Sequence, residues 1–336
     1  MKFKKILKAG LIAIITIFIL MNIVIIIQAH SLSHFDEDAV PIMPDYKPTF
    51  FESIKIGLCG LDLPKPHTKG YPVHAYDSLC IVQEEGKKLD AWLLHTDSLK
   101  RGLVIAFHGY MDEKSSMLDR ADVFLDMGYD VLLVNLMGAG NSYGDQTTMG
   151  YLEAENVKAA HEYAITELKE ENIILTGFSM GAAAIMKAQH DYDLLVKAVI
   201  LEAPYATFKG TVGMRIDKMN MPRFPVAQLF TFWFGAINGF DAFGNNPEEY
   251  AVKIYVPALL MCGGKDQYIP EAETESIFNN IADKYKKMKI FPESHHQSYL
   301  IRYPKEWRTT VSSFLDSLEK MNVFSDERVG APLRRN

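Results

Sequence analysis

The chain has 336 residues, 48% hydrophobic and 23% charged, a composition that suits a large globular α/β domain with additions and excludes a wholly disordered chain. The formal net charge is −7, and the first thirty residues hold four lysines and no acid. The remainder therefore carries 31 basic and 42 acidic residues, a net of −11, which argues against a nucleic-acid partner.

Lys2, Lys4, Lys5 and Lys8 precede an apolar run from Ala9 to Ile27, broken only by Gly10, Thr16 and Asn22. At 1.5 Å per helical residue this run comes close to the ~30 Å hydrocarbon thickness of a bilayer. Residues 1–30 are therefore expected to form an uncleaved transmembrane anchor, the alternative being a cleaved signal peptide, whose apolar core is usually shorter. Lysines before the span and the acidic stretch Phe35 to Asp38 after it predict a cytoplasmic N-terminus and a catalytic domain outside the cell membrane. Residues 31–74 hold six prolines without sustained periodicity and read as a spacer. On that reading, removal of residues 1–30 leaves the domain intact.

Strands and helices then alternate from 75 to 321. Asp77 to Gln83 and Lys88 to His95 flank a Glu85-Gly86 turn and predict a hairpin. Leu103–Phe107, Asp130–Leu136, Asn172–Gly177, Ala198–Ala203 and Pro257–Gly263 are short, nearly continuous apolar runs of the kind found in buried parallel strands. Helical periodicity marks Ser115 to Met127, Tyr151 to Leu168, Met180 to His190, Glu271 to Lys286 and Lys305 to Met321, and residues 322–336 read as a tail. The alternation predicts a mostly parallel sheet with helices on both faces, with its ligand site beyond the carboxyl ends of the strands.

Gly177-Phe178-Ser179-Met180-Gly181 lies where one such strand ends and a small-residue helix begins. This strand, turn and helix context makes Ser179 the expected nucleophile. Its base should follow in the order Ser, acid, His. The histidines downstream are His190, at the far end of the same helix, and the pair His295 and His296 after the last strand. Asp266 follows a strand end and is the expected acid, with Glu202 as the alternative. Backbone N–H groups of Tyr110, in the His108 to Asp112 loop, and of Met180 are the expected oxyanion donors, and His108 reads as a loop brace. The segment 207–249 is rich in Met and aromatic residues and reads as a helical lid, with Trp233 and Phe234 as candidate substrate-binding residues.

Cys59, Cys80 and Cys262 lack the paired spacing of zinc or redox motifs, so no metal is expected, and Cys59 and Cys80 read as free thiols or, in an oxidising compartment, a disulfide. Gly138, Gly140 and Gly144 follow a strand but no helix opens there, so no nucleotide cofactor is expected.

His108-Gly109-Tyr110, the Asn135 to Ser142 loop, Gly177 to Gly181, the Gly263 to Pro270 stretch and the Glu293 to Tyr299 stretch resemble, in order, the landmarks of the α/β-hydrolase superfamily. The similarity is nearest to bacterial surface hydrolases of serine aminopeptidase-like or monoacylglycerol lipase-like type. The resemblance implies an α/β-hydrolase fold and, from Ser298 and Tyr299 three and four residues on, selects His295 over His296 as the catalytic base. Asn135, Met137 and Ala139 depart from the usual Asp, Arg and His of that loop and imply that its polar bracing is missing. The expected activity is hydrolysis of a small-molecule ester or lipid-like substrate with a hydrophobic acyl group through an acyl-enzyme. A serine peptidase or thioesterase on the same residues, or a non-catalytic surface binding protein, are the alternatives.

Overall fold

The computed structural model describes residues 2–40 and 48–329. Eight strands form one sheet: β1 (Tyr76–Val82), β2 (Lys88–Leu94), β3 (Gly102–Phe107), β4 (Tyr129–Val134), β5 (Ile173–Phe178), β6 (Ala198–Glu202), β7 (Ala258–Gly263) and β8 (Lys286–Phe291). Their spatial order is β8-β7-β6-β5-β3-β4-β2-β1. β1 and β2 pair antiparallel, β2 joins β4 antiparallel, and β3 to β8 run parallel. Every residue of β3, β4, β6 and β7 is buried, as their nearly continuous apolar runs require when helices cover both faces. β8 is an edge strand whose Lys286, Lys287 and Lys289 discourage pairing with another chain.

The helices are α1 (Lys2–Ser33), α2 (Phe50–Cys59), α3 (Leu118–Asp126), α4 (Glu153–Thr166), α5 (Met180–Tyr192), α6 (Phe208–Lys218), α7 (Arg223–Asn238), α8 (Pro247–Tyr250), α9 (Glu271–Asn280), α10 (Tyr299–Arg302) and α11 (Pro304–Val329). This is the α/β-hydrolase fold, and α6 and α7 are inserted between β6 and β7 where the aromatic-rich segment was expected.

Three boundaries differ from the sequence reading. The spacer contains α2, whose start is fixed by a capping box: Thr49 Oγ1 accepts from Glu52 N and Glu52 Oε2 accepts from Thr49 N. The stretch Glu271 to Lys286 is not one helix, because α9 ends at Asn280 and β8 begins at Lys286. The final helix runs past Met321 to Val329, and residues 330–336 of the expected tail lie outside the described residues.

α1 is 32 residues long, about 48 Å at 1.5 Å per residue. Residues 3–20 are exposed, whereas Ile25, Ala29 and Ser33, spaced by four, are buried against the domain. The helix packs along α7, where Trp233 Nε1 donates to Asn22 Oδ1 at 2.9 Å. Its end is tied to the sheet side of the molecule, since Tyr110 Oη donates to Leu32 O at 2.8 Å. The last three turns of α1 therefore pack on the domain, a contact that the reading of residues 1–30 as a separate anchor did not include.

Candidate active site

β5 delivers the chain to a sharp turn at Ser179, whose φ of 51° and ψ of −108° lie outside the regions ordinary residues favour. Such a conformation costs on the order of 1–3 kcal/mol and persists only where the surroundings enforce it. Here they do. A side chain on Gly177 would meet the Gly181 carbonyl carbon at 2.6 Å, and one on Gly181 would collide with Phe107 O. Only glycine at both places lets β5, the turn and α5 pack this closely, and the result holds the Ser179 hydroxyl at the carboxyl edge of the sheet.

Asp266 sits just beyond β7. Its Oδ1 accepts from the amides of Tyr268 and Ile269 at 2.8 and 2.9 Å, which leaves Oδ2 to accept from His296 Nδ1 at 2.7 Å. With Nδ1 donating to the carboxylate, Nε2 is the ring acceptor, and it lies 3.1 Å from Ser179 Oγ. The structure thus joins Ser179, His296 and Asp266 in one hydrogen-bonded line.

His295, the histidine selected from the family pattern, is not in that line. Its ring is exposed and its Nδ1 faces Lys265 O at 2.8 Å. The reason is the tight backbone path after β8. Phe291 O accepts from Gly264 N and Ser294 N, and Ser294 O accepts from Lys265 N, which pins Ser294 inward against the β7 turn. His295 then projects outward and His296 inward. Ser298 and Tyr299 have other tasks: Ser298 Oγ donates to Asp119 Oδ2 at 2.5 Å, and buried Tyr299 stacks on Phe291. His190 is remote from Ser179, pairing instead with Asp191 at 2.7 Å.

Glu202, the alternative acid, is fully buried and takes a two-pronged contact from Arg120, with Nε at 3.1 Å and Nη2 at 3.2 Å. A carboxylate committed to a buried guanidinium has no free oxygen facing a histidine. Its backbone does serve the site, since Glu202 O accepts from Ser179 N at 2.8 Å.

Met180 opens α5, and Tyr110 lies in the loop after β3 next to Met111, whose φ is +58°. Among the described residues neither amide donates to another protein atom. Two such free N–H groups flanking a nucleophile are what a developing oxyanion requires. His108 braces the loop as expected. Its Nε2 accepts from Leu136 N at 3.0 Å and its Nδ1 donates to Gly109 O at 2.8 Å, so the ring is held neutral, and burial pushes its pKa down.

The loop said to lack polar bracing is in fact braced by a different set. Asn135 Oδ1 accepts from Lys114 N at 2.7 Å and its Nδ2 donates to Asp90 Oδ2 at 3.0 Å. The buried Lys114 ammonium pairs with the same carboxylate and lies 4.2 Å from the centre of the Trp92 ring.

The two lid residues singled out from composition are engaged by neighbouring side chains. Phe234 is 2% exposed, packed among Phe208, Phe230 and Phe240, and Trp233 is spent on α1 and Phe232. Both serve the packing of the inserted helices. On α6, Arg215 lies beside Tyr268, which in turn abuts His296 with ring centres 6.0 Å apart.

Residues 98–232 match the family described as serine aminopeptidase, S33. The chain is 25% identical over 218 residues to the uncharacterized protein YqkD of Bacillus subtilis, covering 64% of this chain and 71% of that one. It is 22% identical over 238 residues to the uncharacterized membrane protein YNL320W of Saccharomyces cerevisiae, covering 70% and 78%. Among solved structures it resembles the esterase Pf2001 of Pyrococcus furiosus, with a TM-score of 0.63 and 22% identity over 76% of this chain and 96% of that one. These likenesses agree with the α/β-hydrolase fold described above, and the family match covers the segment that holds Ser179.

Proposed function

We propose that this protein is a membrane-anchored serine hydrolase that cleaves carboxylic esters through an acyl-enzyme. The observation that carries this reading is the unbroken line from Ser179 Oγ through His296 to Asp266 Oδ2. A serine hydroxyl is a weak nucleophile at neutral pH and needs such a base. His296 Nε2 takes the proton as Oγ attacks the ester carbonyl, Asp266 holds the ring's tautomer and stabilises the imidazolium, and the Tyr110 and Met180 amides receive the negative carbonyl oxygen. The imidazolium then protonates the leaving alkoxide as the ester C–O bond breaks. Water, deprotonated by His296, attacks the acyl-enzyme and releases the acid and free Ser179.

The anchor role rests on α1, which is long and apolar enough to cross a membrane. The apolar run from Ala9 to Ile27 spans about 28 Å, close to the hydrocarbon thickness, with Lys2, Lys4, Lys5 and Lys8 before it. The flanking charges orient the N-terminus to the cytoplasm and the domain outside. Apolar acyl groups suit such a setting, each buried methylene being worth about 0.8 kcal/mol.

The test is turnover of p-nitrophenyl esters from acetate to octanoate by the detergent-solubilised full chain. Hydrolysis that is lost in Ser179→Ala supports the reading. The match to the serine aminopeptidase family favours a second reading, peptidase action on the same residues. Preference for an aminoacyl p-nitroanilide over every ester would select it.

A further inference from the structure

Arg215 is a half-buried guanidinium on α6 with no carboxylate within ion-pair distance among the described residues. Its one hydrogen bond is a long one within its own helix, Nη1 to Thr211 O at 3.4 Å. Its Cζ lies 5.4 Å from the centre of the Tyr268 ring, and Lys218, one turn along α6, places its ammonium 3.4 Å from the centre of the same ring.

Beside Tyr268, which the Arg215 guanidinium overlies, Tyr110, Tyr205, Asp266 and Glu273 are close enough to interact with it electrostatically. None neutralises it. Asp266 spends one oxygen on His296 and the other on the amides of Tyr268 and Ile269. Glu273 is held by Ala206 N at 2.8 Å, and burial raises its pKa. Tyr205 Oη donates to Met149 O and Tyr110 Oη to Leu32 O. A partly desolvated charge left without a counter-ion is costly, and a guanidinium fork matches the geometry of a carboxylate or phosphate.

We propose that Arg215 forms an anion subsite beside His296, and that the substrates are carboxylic esters carrying a carboxylate or phosphate close to the scissile bond. Lys218 adds a second positive charge at the outer edge of this subsite. The proposal deepens the ester hydrolase reading and rests on it only for the word ester, since the anion requirement is a property of binding.

Binding therefore tests it, on the full chain carrying Ser179→Ala so that turnover plays no part. Titration calorimetry compares monoethyl glutarate with ethyl valerate as the carboxylate pair, and butyrylglycerol 3-phosphate with monobutyrylglycerol as the phosphate pair. At least one anionic member should bind tenfold or more tightly than its neutral partner, and the pair that does so identifies the source of the charge. Adding Arg215→Gln should bring that ratio close to one, while Arg215→Lys should retain part of it, with melting temperature checked for each. Equal binding within both pairs, or a preference that survives Arg215→Gln in a folded protein, overturns the proposal. Anion preference without ester turnover by the parent would instead contradict the esterase reading and leave the subsite standing.

Discussion

His296 Nε2 stands 3.1 Å from Ser179 Oγ, while the adjacent His295 turns its ring to the Lys265 carbonyl. One residue of displacement on a tight loop decides which imidazole reaches the nucleophile. His296→Ala should lower kcat by several powers of ten, leaving only what the oxyanion donors and binding provide. His295→Ala should change kcat less than fivefold, because its contact is an exposed one. Steady-state kinetics on a p-nitrophenyl ester checks both, and equal losses would refute the assignment.

Asp266→Asn replaces the carboxylate that accepts from His296 Nδ1 with an amide that favours the wrong tautomer. A fall in kcat of about 10⁴ is expected, with KM little changed and folding intact. Glu202→Gln gives the opposite pattern. It leaves the buried Arg120 guanidinium with Asp119 as its one remaining carboxylate among the described residues, so denaturant unfolding should show a loss of up to about 3–5 kcal/mol. A large kcat loss in Glu202→Gln without destabilisation would restore Glu202 as the acid.

The parts of this molecule that were legible in the sequence are those dictated by local periodicity. Strands such as Leu103–Phe107 and Ala198–Glu202 are apolar on both faces, and the Gly177 to Gly181 turn announces a strand-to-helix corner that no other residue types allow. The choice between His295 and His296 was not legible, because it depends on backbone hydrogen bonds from Gly264, Lys265 and Ser294 across two loops. Nor was the role of Ile25, Ala29 and Ser33: at the end of an apolar run and just beyond it, a stripe that packs on protein is not distinguished by composition from one that faces lipid. The bracing at Asn135 was missed for a related reason, since its partners Asp90, on β2, and Lys114, after β3, are distant from it in the sequence.

Truncation separates the two halves of α1. Removing residues 2–20 takes away only exposed helix, so the product should keep the melting temperature of the detergent-solubilised full chain within a few degrees. Removing residues 2–33 uncovers α7 and strips Tyr110 Oη of its acceptor, and burial of Ile25 alone is worth about 1.5–3 kcal/mol. That longer truncation should melt many degrees lower and lose ester turnover. Identical melting of the two products would show that α1 is only a tether.

Stability should fall in mild acid through His108. Its pKa is pushed below the ordinary 6.5 by burial, so the unfolded chain takes up a proton that the folded chain refuses. Stability is thus lost as pH drops below about 6.5, by up to about 1.4 kcal/mol per pH unit from this one group. Urea unfolding between pH 7 and 5.5 should show this slope, and His108→Gln, less stable at pH 7, should show a shallower one. An unchanged slope would assign the effect to other groups.

The central claim is that Ser179 is an activated nucleophile. Treating the full chain with a fluorophosphonate probe and locating the adduct by peptide mass spectrometry tests it most directly. The account predicts one adduct, on the peptide containing Ser179, abolished in Ser179→Ala and strongly slowed in His296→Ala. No labelling of the folded parent, or labelling that persists in Ser179→Ala, would contradict it.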